Sequence, residues 1–505
     1  MAHYLRTLLI VGLVYSGGCG TRAPANNAGL DGTLDPPGET AELTSPLRSP
    51  AGDLVFPGTR DELGWVLPLD VRRPREPRQR PPAPHPADRV QTRANLGPGP
   101  FPEERLGPDD GHTQNETSID ALDGTLVAGW NSFTDASLVM GAGRSDDAGE
   151  SWSFELFDGH TTMSDPVVSA AGAGRWYFAY IASGGAGGSD YEVYVRRSVD
   201  DGASWQAPVA VTDNTDFDDK PYMDGVGDEV VAVWADFGFG PAKVRVANSL
   251  DGGLTFINNT ILANDSVGGN GAVPLIDGAG DYYVFWRDSF QEFLWMSRSQ
   301  DQGTSWSSDA SITAMTPLPS SLPGGFRMVN LPSAASPAPG HLVVVWNDQA
   351  LGDPDILAVR SIDGGQNWSA PVRVNDDAGT EAQFLPWIVA DEQGGLHVTW
   401  YDRRGNGADI DVYTAFSDDG GATFGQNTRV TGAAFTPVLP WEGHAADFIG
   451  DYNGIAVDGA TLYPFYQDSR EGNQDVYVAR LPSPGVIFAD GFESGDTSAW
   501  SNAVP

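Results

Sequence analysis

Ser145-Asp146-Asp147-Ala148-Gly149-Glu150-Ser151-Trp152 is the stretch on which the reading of the fold turns. Its skeleton, S-x-D-x-G-x-x-W/F, returns at Ser198-Asp200-Gly202-Trp205, Ser249-Asp251-Gly253-Phe256, Ser299-Asp301-Gly303-Trp306, Ser361-Asp363-Gly365-Trp368 and Ser417-Asp419-Gly421-Phe424. The serines are 53, 51, 50, 62 and 56 residues apart. Each kept position has a physical reason. Glycine supplies a left-handed turn residue, the aspartate can accept backbone N–H bonds within the loop, and the aromatic ring can bury between sheets. A single catalytic site has no use for six copies, so Asp147, Asp200, Asp251, Asp301, Asp363 and Asp419 are expected to be structural.

The residues around each copy repeat as well. An apolar run such as His341-Leu342-Val343-Val344-Val345-Trp346 is followed by an alternating one, Asp355-Ile356-Leu357-Ala358-Val359-Arg360. A short strand follows the box, as in Ala370–Val374, and another, such as Phe384–Val389, precedes the next apolar run. Four short antiparallel strands per repeat make one blade of an all-β propeller. The apolar strand recurs seven times, ending near Trp130, Tyr180, Trp234, Trp286, Trp346, Trp400 and Tyr466. Seven blades are therefore expected, with six as the alternative. The seventh repeat lacks a box and a clear outer strand. A spare strand-like piece before the first repeat, Asp88-Arg89-Val90-Gln91-Thr92-Arg93, could supply it and leave no open edge.

These motifs resemble the Asp-box, or BNR repeat, of bacterial sialidases and related propellers, over roughly residues 88–482. The resemblance implies a sialidase-like propeller. It also raises an activity, because sialidases hold a substrate carboxylate with three arginines and use an aspartate acid with a Tyr–Glu nucleophile pair. That family's first arginine lies in an F/Y-R-I-P motif before the first box, where this chain reads Asn115-Glu116-Thr117-Ser118-Ile119. The nearest look-alike, Phe326-Arg327-Met328-Val329, lies in the fifth repeat and lacks the proline. Two functions follow as expectations: a displayed propeller that binds glycan or protein ligands, or an exo-α-sialidase or related glycoside hydrolase.

The ends of the chain carry different signals. A cationic start, Met1–Arg6, and an apolar run from Leu8 to Val14 read as a signal peptide covering 1–19, too short to span a bilayer. Ser16-Gly17-Gly18-Cys19 resembles the lipobox of bacterial lipoproteins, with Ser16 where that family has leucine. It implies lipidation at Cys19, the chain's one cysteine, and export to the bacterial outer membrane or cell surface. Residues 20–86 are rich in Pro, Ala and Gly and end in the basic stretch Arg72–Pro82, so they read as an extended linker. The propeller is assigned to 87–482 and a tail to 483–505.

A formal charge of −39, from 29 basic and 68 acidic residues, repels phosphate backbones and argues against nucleic acid as a partner. A monomer with a carbohydrate or protein ligand is expected. The seven histidines show no paired metal-ligand spacing, so no metal site is assigned. The cofactor expectation is none, with Ca²⁺ as the ion the acidic surface would accept, for instance at Asp213–Asp219.

A ligand site is sought where the repeat breaks. Boxes lie on one face of a propeller, and the loops entering each innermost strand lie on the other. There the chain varies from blade to blade, giving Glu116, Asp165, Lys220, Arg327, Gln383, His444 and Asp451 as candidate ligand-binding residues. Arg327, Arg403, Arg470, Glu381 and Asp447 are the candidates for catalysis. An Asp recurs after the apolar strand, at Asp236, Asp288, Asp348, Asp402 and Asp468, and is expected to cap a turn.

Overall fold

The most apolar strand of every repeat is also the best buried. Trp130, Tyr180, Trp234, Trp286, Trp346, Trp400 and Tyr466 are each no more than 1% exposed, because neighbouring sheets cover both faces of that strand. The computed structural model describes residues 101–134, 137–172, 174–183, 191–212, 217–238, 241–262, 268–319, 322–439 and 448–484, together with strand residues 47–48 and 54–55. The signal segment, Cys19, the piece at 88–93, Asp213–Asp216, His444, Asp447 and the tail beyond 484 lie outside the described residues.

The chain divides into two compact units, 1–77 and 78–505. In the first, within the stretch read as a linker, Leu47–Arg48 pairs antiparallel with Leu54–Val55. The second holds seven blades, each a four-stranded antiparallel meander running from an inner to an outer strand. Blade 1 spans 114–156, blade 2 163–210, blade 3 218–261, blade 4 270–314, blade 5 333–373 and blade 6 383–429. Blade 7 takes its three inner strands from 454–479. Among the described residues there is no helix.

Blade 7 is completed from the other end of the chain, which settles seven blades over six. Its outer strand is Glu103–Leu106, paired with Asp475–Ala479 so that Glu103 faces Ala479 and Leu106 faces Val476. A strand from ahead of the first repeat thus closes the ring, but ten residues and more downstream of 88–93. Side chains fix that choice. Arg470 reaches both oxygens of Glu103 at 2.8 and 2.9 Å, Tyr466 donates to Glu103, and Leu106 is 3% exposed.

Each box is closed by its own side chains. In the first, Ser145 Oγ donates to Asp147 at 2.8 Å and accepts from the Gly149 N–H at 2.9 Å. Asp147 also accepts from the Ser151 N–H and hydroxyl. Gly149 and the residue before it, Ala148, both take positive φ. The box aromatics, such as Trp152 and Trp306, are half-buried and pack against the blade cores. The recurring Asp after the second strand is a turn cap in all five copies: Asp236, Asp288, Asp348, Asp402 and Asp468 each accept the N–H two residues on.

Candidate functional site

One irregularity recurs where the inner strands begin, at the end away from the boxes. The register slips between Asn115 and Ser118, Ser164 and Val167, Asp219 and Tyr222, Asn270 and Val273, and Phe384 and Trp387. Each slip holds one residue at positive φ: Glu116, Asp165, Lys220, Gly271 and Leu385. A bulge leaves one residue unpaired and re-aims its side chain. Left-handed backbone is unfavourable for a residue with a Cβ, so four non-glycine copies mark a position that the surrounding ring enforces.

The side chains of Glu116, Asp165 and Lys220 meet at the centre of the ring. Lys220 Nζ lies 2.6 Å from Asp451 Oδ2, 3.7 Å from Asp165 and 3.8 Å from Glu116. Arg327 forks onto Asp451, with Nε at 3.2 Å and Nη2 at 2.7 Å, and its guanidinium lies 4.6 Å from the centre of the Phe448 ring. Asn131 donates to Glu116 at 2.6 Å and accepts the Asp165 N–H at 3.0 Å. The Tyr452 hydroxyl donates to Asp165 at 3.2 Å. Glu116, Asp165, Lys220 and Asp451 are all buried; Arg327 is the open member, its side chain 28% exposed.

The electrostatics split the acids. Burial pushes Glu116 well above the usual carboxylate range, with Asp165 adding repulsion. Burial likewise carries Asp219 up to about 7. Asp451 goes the other way, to about 2, because Lys220 and Arg327 together outweigh its burial. Burial also opposes the charge on Lys220, yet the surrounding carboxylates prevail and raise its pKa. Arg287, at the end of the second strand of blade 4, is lowered by burial to about 10, while Asp288 and Asp451 oppose that shift. The Tyr222 hydroxyl and Arg287 Nε are buried with no hydrogen-bond partner among the described residues.

The sequence profile of the BNR repeat-like domain matches residues 112–398, more than half of the chain. The chain belongs to the BNR repeat-like family. No curated protein matches it in sequence. Among solved structures it is similar to a protein of unknown function from Dyadobacter fermentans, at 16% identity and a TM-score of 0.42, covering 60% of this chain and 93% of that one. A Hadza microbial sialidase is similar at 14% identity and 0.41, covering 76% and 68%. Trypanosoma rangeli sialidase is similar at 13% identity and 0.38, covering 73% of this chain and 55% of that one.

Not every candidate residue of this BNR-family chain reaches the axis. Glu116, Asp165, Lys220, Arg327 and Asp451 come together there. Gln383 is buried between blades 5 and 6, accepting from Asn375 at 2.9 Å. Arg403 is 1% exposed and spends its guanidinium on the carbonyls of Pro323 and Ala408, both at 2.6 Å. Glu381 stands against the Gly407 turn of that same loop. Arg470 belongs to the ring closure at the outer edge of blade 7. The reading from sequence passed over Tyr222 and Asn131. Tyr222 follows Lys220 by two residues, and its ring stacks on Trp387 at 5.5 Å and meets Tyr452 edge-on at 5.6 Å.

On the box side of Tyr222 and Trp387 lies a cavity of about 480 Å³. Several of its lining carboxylates tie blade to blade: Asp120 accepts the Ala170 N–H, Asp224 that of Ile276, Asp277 that of Gly340 and Asp458 that of Gly124. None of Glu116, Asp165, Lys220, Arg327 and Asp451 lines this cavity.

Proposed function

We propose that the charged cluster on the face away from the boxes binds a polar carbohydrate ligand. The observation that carries this reading is the buried Lys220–Asp451–Glu116–Asp165 cluster with Arg327 as its open member. Converging donors and acceptors beside the Phe448 ring suit a polyol, which needs both kinds of partner at fixed positions. The unpartnered Tyr222 hydroxyl and Arg287 Nε support it, since buried polar atoms are normally satisfied. The test is an immobilised-glycan screen followed by calorimetry on the best binder. Arg327→Ala should abolish binding; a ligand held equally well by that variant would place the site elsewhere.

A glycoside hydrolase is the second reading, favoured by one observation. Burial and Asp165 raise the Glu116 carboxyl while Lys220 and Arg327 lower that of Asp451, and environments that push two carboxyls apart suit an acid and a charge stabiliser. Fluorogenic sialosides and neutral glycosides should then be turned over by the wild type and not by Glu116→Gln. Failure to cleave any of them removes this reading and leaves binding.

We further propose that the protein is exported and held at the cell surface by a lipid on Cys19. Labelled palmitate fed to an expressing bacterium should appear in the wild type and not in Cys19→Ser. Label in neither protein would end the anchor proposal.

A further inference from the structure

The last strand of the propeller delivers the chain to the rim of the box-side cavity. Leu481–Pro482 pairs with the start of blade 7's second strand, Leu481 facing Leu462 and Pro482 facing Thr461. The Ser483 N–H then donates to the Ala460 carbonyl at 2.7 Å, next in the chain to Asp458 and Gly459, which line the cavity. Ser483 Oγ lies 3.4 Å from His397 Nε2, and that nitrogen is 3.0 Å from Oδ2 of Asp391, another lining residue. Ser483 is 3% exposed, and Pro484, after which the described residues end, is buried as well. The chain is thus fastened to blades 6 and 7 together, beside the cavity, with residues 485–505 following.

Those residues open on an apolar run. Val486-Ile487-Phe488 comes directly after Gly485, and the first charge is Asp490. Four extended residues span at most about 14 Å, so Phe488 stays close to the rim where Pro484 is held. The cavity offers Val167, Met223, Val273, Ile388, Ile455 and the Trp387 ring as walls. Its carboxylates include Asp391, Glu392 and Asp458, and no Lys or Arg is among the described residues that line it. Such a space suits an uncharged apolar segment and repels Asp490, Glu493 and Asp496 further along the tail. We propose that Val486-Ile487-Phe488 seats in this cavity, with the acidic remainder of the tail left outside. Tethering favours this occupant over a free one, because a segment joined to its site by a short linker competes at an effective concentration on the order of mM.

The experiment is photo-crosslinking of the full-length protein carrying Phe488→p-benzoylphenylalanine, mapped by mass spectrometry after digestion. Crosslinks should fall within one chain, on cavity-lining segments such as 167–172, 222–224 and 387–392. A thiol readout accompanies it in a Cys19→Ser background, where the introduced cysteine is the only one. Ile487→Cys should react with a maleimide about tenfold or more slowly than Ser501→Cys, since a seated thiol is reached only when the segment opens. Adding Phe488→Asp should remove that protection. All of these substitutions lie outside the propeller, so its folding is not at stake. No crosslink, crosslinks confined to the outer strands of the blades, crosslinks between two chains, or equal labelling of the two thiols would overturn the proposal.

Discussion

Lys220 and Asp451 come from opposite sides of the ring and meet on its axis at 2.6 Å, both almost wholly out of contact with water. The lysine lies within ion-pair distance of all three of Glu116, Asp165 and Asp451. Removing it strips these buried carboxylates of their shared cation. Lys220→Met, which keeps the stem and deletes the charge, should therefore cost about 3–5 kcal/mol of unfolding free energy. Urea denaturation at neutral pH checks this. A variant as stable as the wild type would mean that the acids shed their charge by taking up protons.

The same cluster sets the pH dependence. Asp219 lies at about 7 in the folded protein, against an ordinary 3.8, because burial, with Asp165 and Asp451, outweighs Lys220. The native state thus binds that proton more tightly than the unfolded chain. Its contribution is complete below about pH 4 and is lost as pH rises through 7. Asp451 has the opposite sign: held at about 2, it contributes above pH 4 and loses that contribution as pH falls towards 2. Asp219→Asn should flatten the decline in stability between pH 4 and 7, by up to about 1.4 kcal/mol per pH unit. Denaturation series at stepped pH measure the slope, and parallel curves for variant and wild type would refute the assignment.

The blade architecture was legible because it is written six times in the boxes and seven times in the apolar strands. The axial site was legible only in part. Glu116, Asp165 and Lys220 stood out as departures from the repeat, and the bulge that brings them together leaves a faint trace, the proline after Asp165, Lys220 and Leu385. Arg403 and Arg470 departed from the repeat equally, yet one serves a loop and the other the ring closure. Sequence shows that a residue is unusual, whereas direction depends on which neighbour answers its charge. The closing strand illustrates the same limit. Val90 and its neighbours alternate well, but Glu103 is the residue that finds Arg470 and Tyr466.

Gly141 tests the packing inside blade 1. It lies opposite Trp130 in the sheet, and a Cβ built there would collide with the Trp130 indole. Trp130 is wholly buried, so the ring has no free space to move into. Gly141→Ala should destabilise the protein by about 1–3 kcal/mol. At Gly425 the closest approach to such a Cβ is an ordinary 3.5 Å, and Gly425→Ala should melt like the wild type. Equal melting temperatures for the two variants would contradict this account of the core.

Ring closure supplies the last prediction. Arg470 holds Glu103 at 2.8 and 2.9 Å and Asp468 at the same time, so it fastens the outer strand of blade 7 to the blade's second strand. Arg470→Ala leaves a fully buried carboxylate, Asp468, beside a largely buried one, Glu103. Each lost charge-assisted bond is worth about 1.5–3 kcal/mol in a buried setting, less here because the arginine side chain is 22% exposed. A loss of about 1–2 kcal/mol is expected. Deleting residues 103–106 should do more, because it bares the strand Asp475–Ala479 as an open edge that pairs readily with other chains. Light scattering during a thermal ramp should show the deletion aggregating below the melting temperature of the point variant. A deletion that stays monomeric and melts with the wild type would mean that another segment can take over the outer strand.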